Sequence, residues 1–98
     1  MLPHAVAYNA PFASSAMAKV KSSLGIPASS STTVSQALYD LAQSLNAPTS
    51  LRELGMREED LERVAEIAIE RPYPNPAPLD KEKLLGVLRD AWEGRRPA

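Results

Sequence analysis

Every second residue from Pro72 to Pro78 is proline. Such a run lacks the amide donors that a helix or a central strand requires, and each ring fixes φ. Residues 71–78 must therefore form an extended, stiff segment, and regular structure cannot pass through it. Gly and Pro punctuate the rest of the chain more sparsely. Gly25 with Pro27 ends one segment and Asn46 with Pro48 another, because glycine suits a left-handed helix cap and proline cannot continue a helix.

Between these stops the apolar residues recur at helical spacing. Pro11 stands at a helix start, and Phe12, Ala16, Val20 and Leu24 share one face of a first helix running through Ser23. Residues 28–33, rich in Ser and Thr, form a connector that supplies hydroxyl caps to the next helix. This second helix, over about Thr33 to Leu45, carries the stripe Val34, Leu38, Leu41, Ala42 and Leu45. A short turn at Ser50 to Leu54 leads through Gly55 into a third helix, about Glu58 to Ile69, striped by Leu61, Val64, Ala65 and Ala68. Glu58, Glu59 and Asp60 crowd its first turn, where the helix dipole favours acids. Asp80 caps a last helix that buries Leu84, Leu85, Leu88, Ala91 and Trp92; Gly94 ends it, and Arg95 to Ala98 is expected to fray.

No stretch alternates apolar and polar residues, so no strand is expected. Fifteen of the forty-three hydrophobic residues are Ala and only five residues are aromatic, which suits packed helices better than a sandwich of sheets. The expected fold is all-α: one small bundle of about four helices over residues 1–98, with the Pro-rich connector before the last helix.

Charge is spread unevenly. Residues 1–50 hold only Lys19, Lys21 and Asp40, against nine basic and eleven acidic side chains in residues 51–98. A free-standing small domain has a surface that is roughly a quarter to a third charged. Two readings of the neutral half stand: an Ala/Ser surface, or a surface that lies against more protein. Eleven Lys+Arg against twelve Asp+Glu leave no basic excess for a phosphate backbone, so no nucleic-acid partner is expected. No apolar run approaches the roughly 20 residues of a membrane span, and residues 1–10 lack the basic start of a secretory signal. The expected setting is intracellular.

Chemistry-bearing groups are few. There is no Cys, and one His cannot build a multi-histidine metal site. Gly25, Gly55, Gly86 and Gly94 are scattered, so no glycine-rich phosphate loop exists. The acids between Arg57 and Glu70 fall on the solvated face of an amphipathic helix. His4 has two readings, a hydrogen-bonded structural side chain or a ligand. The proline run likewise reads as a rigid connector or as a segment that fits a groove.

The stretch Leu2-Pro3-His4-Ala5-Val6-Ala7-Tyr8-Asn9-Ala10-Pro11 resembles a characteristic segment of the iron-containing (group III) alcohol dehydrogenase family, in its maleylacetate reductase branch. The resemblance continues through Ala37 to Ala42, Ala47 to Met56, the Asn-Pro segment Pro72 to Pro76, and a final helix at Leu84 to Gly94. It spans Leu2 to Pro97, and only Gly25 to Ser31 looks individual.

Such enzymes have an N-terminal dinucleotide-binding α/β domain and a C-terminal helical domain of the dehydroquinate synthase-like type, with substrate and any metal between them. The resemblance covers the last part of the helical domain alone. It implies NAD(P)H, and Fe or Zn in some members, for the parent enzyme, and none bound by this chain by itself. The family has two Leu-Pro-His-like stretches with the active-site His in the first, and Tyr8 with Asn9 marks this one as the second. His4 is therefore expected beside the cleft rather than on a metal, and Asn75 and Pro76 at the cleft entrance. No catalytic, cofactor-binding or metal-binding residue is expected in the chain. The implied function is a C-terminal segment of a maleylacetate reductase-like oxidoreductase, silent alone, cytoplasmic, with the rest of the enzyme or a full-length relative as partner. Met1 stands inside the motif, which favours truncation. The alternative is a small non-catalytic helical interaction module. Exposed Phe12, Ala16 and Val20 would mark the enzyme segment; burial of these residues would mark the independent module.

Overall fold

The computed structural model describes residues 1–97, and all regular structure among them is helical. The elements are α1 (Leu2–Asn9), a 3-10 turn at Ala10–Phe12, α2 (Ser14–Ser23), α3 (Val34–Ser44), a 3-10 turn at Glu58–Asp60, α4 (Leu61–Glu70) and α5 (Lys81–Glu93). There are five helices where about four were expected. The added one is α1, whose start is set by Pro3 in its first turn and whose short apolar run shows no stripe. Pro11 does not open the next helix. It sits in the 3-10 turn, Ala13 breaks the path at φ −144°, and α2 begins at Ser14.

The caps follow the local chemistry. Thr33 and Gln36 close a reciprocal capping box on α3, each side chain serving the other's backbone N–H. The Asp80 carboxylate accepts from the Lys83 amide at the start of α5, 3.1 Å away. Gly94 ends α5 at φ 77°, a left-handed turn that only glycine enters without strain. A Cβ at that position would also stand 2.9 Å from the Ser50 Cβ.

Helices α4 and α5 pair, and α1 packs on α3 and on α5. The principal extents are 39 × 30 × 17 Å. At the usual axis spacing of about 8–10 Å, the short dimension holds at most two helices, so each keeps a side open to solvent. The radius of gyration is 14.0 Å, against about 12.5 Å for a compact domain of this length. The core is correspondingly small: Leu61, Ala65 and Leu88, flanked by half-buried Met56, Leu84, Leu85 and Trp92. Trp92 lies on this cluster with its indole N–H donating to the Met56 carbonyl at 2.7 Å, while Arg52 stacks over its ring.

The expected stripes are only partly covered. Of the α3 stripe Val34 is buried, while Leu41 and Leu45 are 50% and 69% exposed; α2 buries no residue at all. The C-terminal tail departs from the expectation of fraying. The Gly94 carbonyl accepts from Tyr39, the Arg95 carbonyl from His4, Arg96 pairs with Asp40, and Pro97 is buried. Ala98 lies outside the described residues.

Two glycines of α5 predict opposite outcomes. Gly94→Ala is expected to lower the unfolding free energy by about 1–2 kcal/mol through its left-handed φ and the Ser50 contact. Gly86→Ala, in mid-helix with open space around its Cβ, is expected to raise it by roughly 0.5–1 kcal/mol. Urea unfolding followed by circular dichroism reads both.

Candidate functional site: a braced wall around the Asn-Pro segment

Helix α1 presents three polar side chains, and each holds a distant piece of backbone. The His4 ring Nε2 lies 2.7 Å from the Arg95 carbonyl oxygen. The Tyr8 hydroxyl donates to the Pro78 carbonyl at 2.5 Å. The Asn9 Oδ1 accepts from Asn75 Nδ2 at 2.7 Å and from the Ala77 amide at 3.2 Å. Asn75 Nδ2 spends its second hydrogen on the Ala77 carbonyl at 2.8 Å.

The alternating prolines leave few N–H groups between 71 and 78, and that of Ala77 sits in a residue only 3% exposed. Asn9 satisfies this amide and fixes the Asn75 side chain at once. Here the stiff segment is positioned by hydrogen bonds, because its own backbone can form almost none.

His4 is a buried structural histidine. A carbonyl oxygen only accepts, so Nε2 carries the proton; Nδ1 is then a bare acceptor, buried and without a partner among the described residues. The ring meets Tyr39 edge-on at 6.3 Å, and the Tyr39 hydroxyl closes the same corner by donating to the Gly94 carbonyl at 2.6 Å. Across this corner Arg96 binds both oxygens of Asp40, at 3.0 and 2.9 Å. The hydrogen bond from Arg96, aided by its charge, holds the Asp40 carboxyl below its ordinary value.

The expected cleft residues do not share one depression. His4 lines a shallow hollow of about 250 Å³ with Tyr8, Val87, Asp90 and Pro97. Asn75 lines a larger apolar groove of about 540 Å³, walled by Val64 and Ile67 of α4, Leu84 of α5, and Arg71, Tyr73 and Leu79 of the connector. Pro76 is exposed and faces solvent. What joins His4 to Asn75 is α1 itself, with His4 near one end and Asn9 at the other. Sequence reasoning did not see Asn9 or Tyr8 as the braces. The available signal was three polar side chains, at positions 4, 8 and 9, in a segment otherwise free of polar groups.

The residues present do not fit a metal or a dinucleotide. Among the described residues no three His, Asp or Glu side chains come together as ligands would, and the protonated His4 nitrogen is engaged by a carbonyl. Gly25 and Gly94 stand at helix C-termini and Gly55 in a turn, where no helix N-terminus offers amides to a phosphate. Tyr8 and Tyr39 both donate to carbonyls, and the Ser50 hydroxyl accepts the Glu53 amide. These side chains hold backbone in place.

Comparison with known proteins gives this wall a context. Residues 1–92 match the Fe-containing alcohol dehydrogenase family, C-terminal part. Over 98 residues the chain is 47% identical to the maleylacetate reductase of Pseudomonas knackmussii, covering 100% of this chain and 26% of that protein. It is 46% identical over 97 residues to maleylacetate reductase 1 of Cupriavidus pinatubonensis, again covering 26% of the relative. A crystal structure assigned to an alcohol dehydrogenase of Ralstonia eutropha JMP134 superposes with a TM-score of 0.91 at 45% identity, over 99% of this chain and 27% of that one. The chain thus spans about a quarter of the length of the relatives it matches.

Asn9→Ala is expected to free Asn75 and strand the Ala77 amide, costing about 1–3 kcal/mol. Hydrogen exchange should show lost protection at Ala77 with the α4 and α5 amides unchanged. For the Asp40 latch, a depressed carboxyl stabilises the fold above its unfolded value and loses that contribution as pH falls through the folded one. Carboxyl NMR should find Asp40 titrating below the ordinary range, and Arg96→Ala should return it there.

Proposed function

The chain belongs to the Fe-containing alcohol dehydrogenase family, and from that membership we propose that it is the C-terminal helical segment of a maleylacetate reductase-type oxidoreductase. The observation that carries this reading is identity of 47% along the whole chain to the maleylacetate reductase of Pseudomonas knackmussii. The parent reaction is hydride transfer from NADH or NADPH to the enone-type double bond of maleylacetate, giving 3-oxoadipate, in a cytoplasmic enzyme of aromatic-compound breakdown.

In that reaction this chain's part is geometric. Hydride transfer needs donor and acceptor held at near-attack distance between two bodies, and rigid walls supply that. The Asn9–Asn75–Ala77 clamp, with Tyr8 on Pro78, makes the Asn-Pro segment such a wall. His4 braces the helix that carries the clamp. The exposure of Phe12, Ala16 and Val20 favours the enzyme segment over an independent interaction module. No helix of the described residues is long and apolar enough to cross a membrane.

By itself the chain is expected to be silent. Purified chain with NADH and maleylacetate should consume no NADH beyond the blank. Turnover that His4→Ala abolishes would overturn this reading.

A further inference from the structure

The face of α2 is the least explained surface of the molecule. Ala16, Val20 and Leu24 recur every four residues along α2 and its C-terminal cap, and Phe12 stands just before them in the 3-10 turn. All four are exposed, Phe12 at 56%, Val20 at 37% and Leu24 at 42%. A helix of ten residues has no stability of its own in water, so a stripe of this kind exists to be covered.

The surroundings favour a covering protein over solvent. Of the three charges in residues 1–50, Lys21 is turned onto the Ser30 carbonyl, Asp40 is taken by Arg96, and Lys19 stands exposed on α2. Sparsely charged surface of this extent suits the core of an interface. The area agrees. The chain exposes 6526 Å², whereas a folded monomer of 10.6 kDa exposes roughly 5,500 Å². The excess, roughly 1,000 Å² by that scaling, is close to the ~800 Å² that one partner contributes to a standard interface. The occupant follows from the comparison with the solved relative. This helical layer recurs there with a TM-score of 0.91 as only 27% of the chain, so nearly three quarters of that polypeptide lies outside it.

We infer that the Phe12–Ala16–Val20–Leu24 stripe is the docking seam for the polypeptide that precedes this segment in maleylacetate reductase-type chains. The inference rests on the functional reading above and adds the surface to it. A charge on the stripe then has a small effect on the segment alone and a large one in the assembled enzyme.

The test is a chimaera in which the 98 residues replace the last quarter of the Pseudomonas knackmussii maleylacetate reductase. Phe12→Asp and Val20→Asp should each lower its thermal midpoint by roughly 5 °C or more. In the isolated chain the same substitutions should lower the midpoint by less than half as much, since both side chains are partly exposed there. Glu59→Gln, on the charged face, should be neutral in both. A chimaera that consumes NADH with maleylacetate, but whose midpoint ignores both substitutions, overturns the seam and leaves the functional reading standing. One that shows the losses yet has no reductase activity overturns the functional reading and keeps the seam. If sedimentation shows the isolated chain to be a dimer that Phe12→Asp dissociates, the occupant is a second copy and the proposal fails. A chimaera that does not fold overturns both.

Discussion

The course of the proline segment depends on Asn9. One amide oxygen satisfies the buried Ala77 N–H and pins Asn75, and so sets where an otherwise unbonded run of prolines lies. A layer this shallow cannot surround a side chain on all sides, and Leu61 is its one large residue sealed from water. With little core available, the ends of the chain are joined by polar side chains on carbonyls: His4 on Arg95, Tyr8 on Pro78, Tyr39 on Gly94. Each such bond contributes about 1 kcal/mol net, but losing one that serves a buried group costs more.

The charged pairs contribute far less. Lys81 with Glu62 and Glu66, and Arg89 with Glu58, join α4 and the 3-10 turn before it to α5 through exposed side chains. Pairs of this kind are worth about 0–1 kcal/mol and are screened by salt. Their consequence is in placement. They keep one half of the molecule hydrated, while α2, with Lys19 and Lys21 its charges, and the uncharged end of α3 leave Val20, Leu41 and Leu45 exposed.

The same economy explains the chemistry. Near the Asn-Pro segment the His4 ring and the Tyr8 and Tyr39 hydroxyls are engaged in holding backbone, while Tyr73 stands exposed at the groove. A surface built this way positions other groups. The chain occupies about a quarter of each relative's length, and its polar side chains are spent on holding Asn75 and the chain around it.

The sequence by itself determined the helix stops, the caps and the class. Proline and glycine act through local φ and missing donors, so Pro72 to Pro78, Gly94, Thr33 with Gln36, and Asp80 could be read one residue at a time. The family was legible for a related reason, since the words around Tyr8–Asn9 and Asn75–Pro76 are short and distinctive. Helix α1 was not legible, because eight residues with a proline and no apolar stripe give periodicity nothing to detect. Nor was the order at Arg95 to Pro97, which depends on His4, Tyr39 and Asp40 far away in the chain. Only the tertiary structure decided what the polar residues of α1 hold and which stripes stay bare. A hydrogen-bond partner 66 residues distant leaves no mark in spacing, and a sequence stripe records that a face is apolar without recording whether this chain or another covers it.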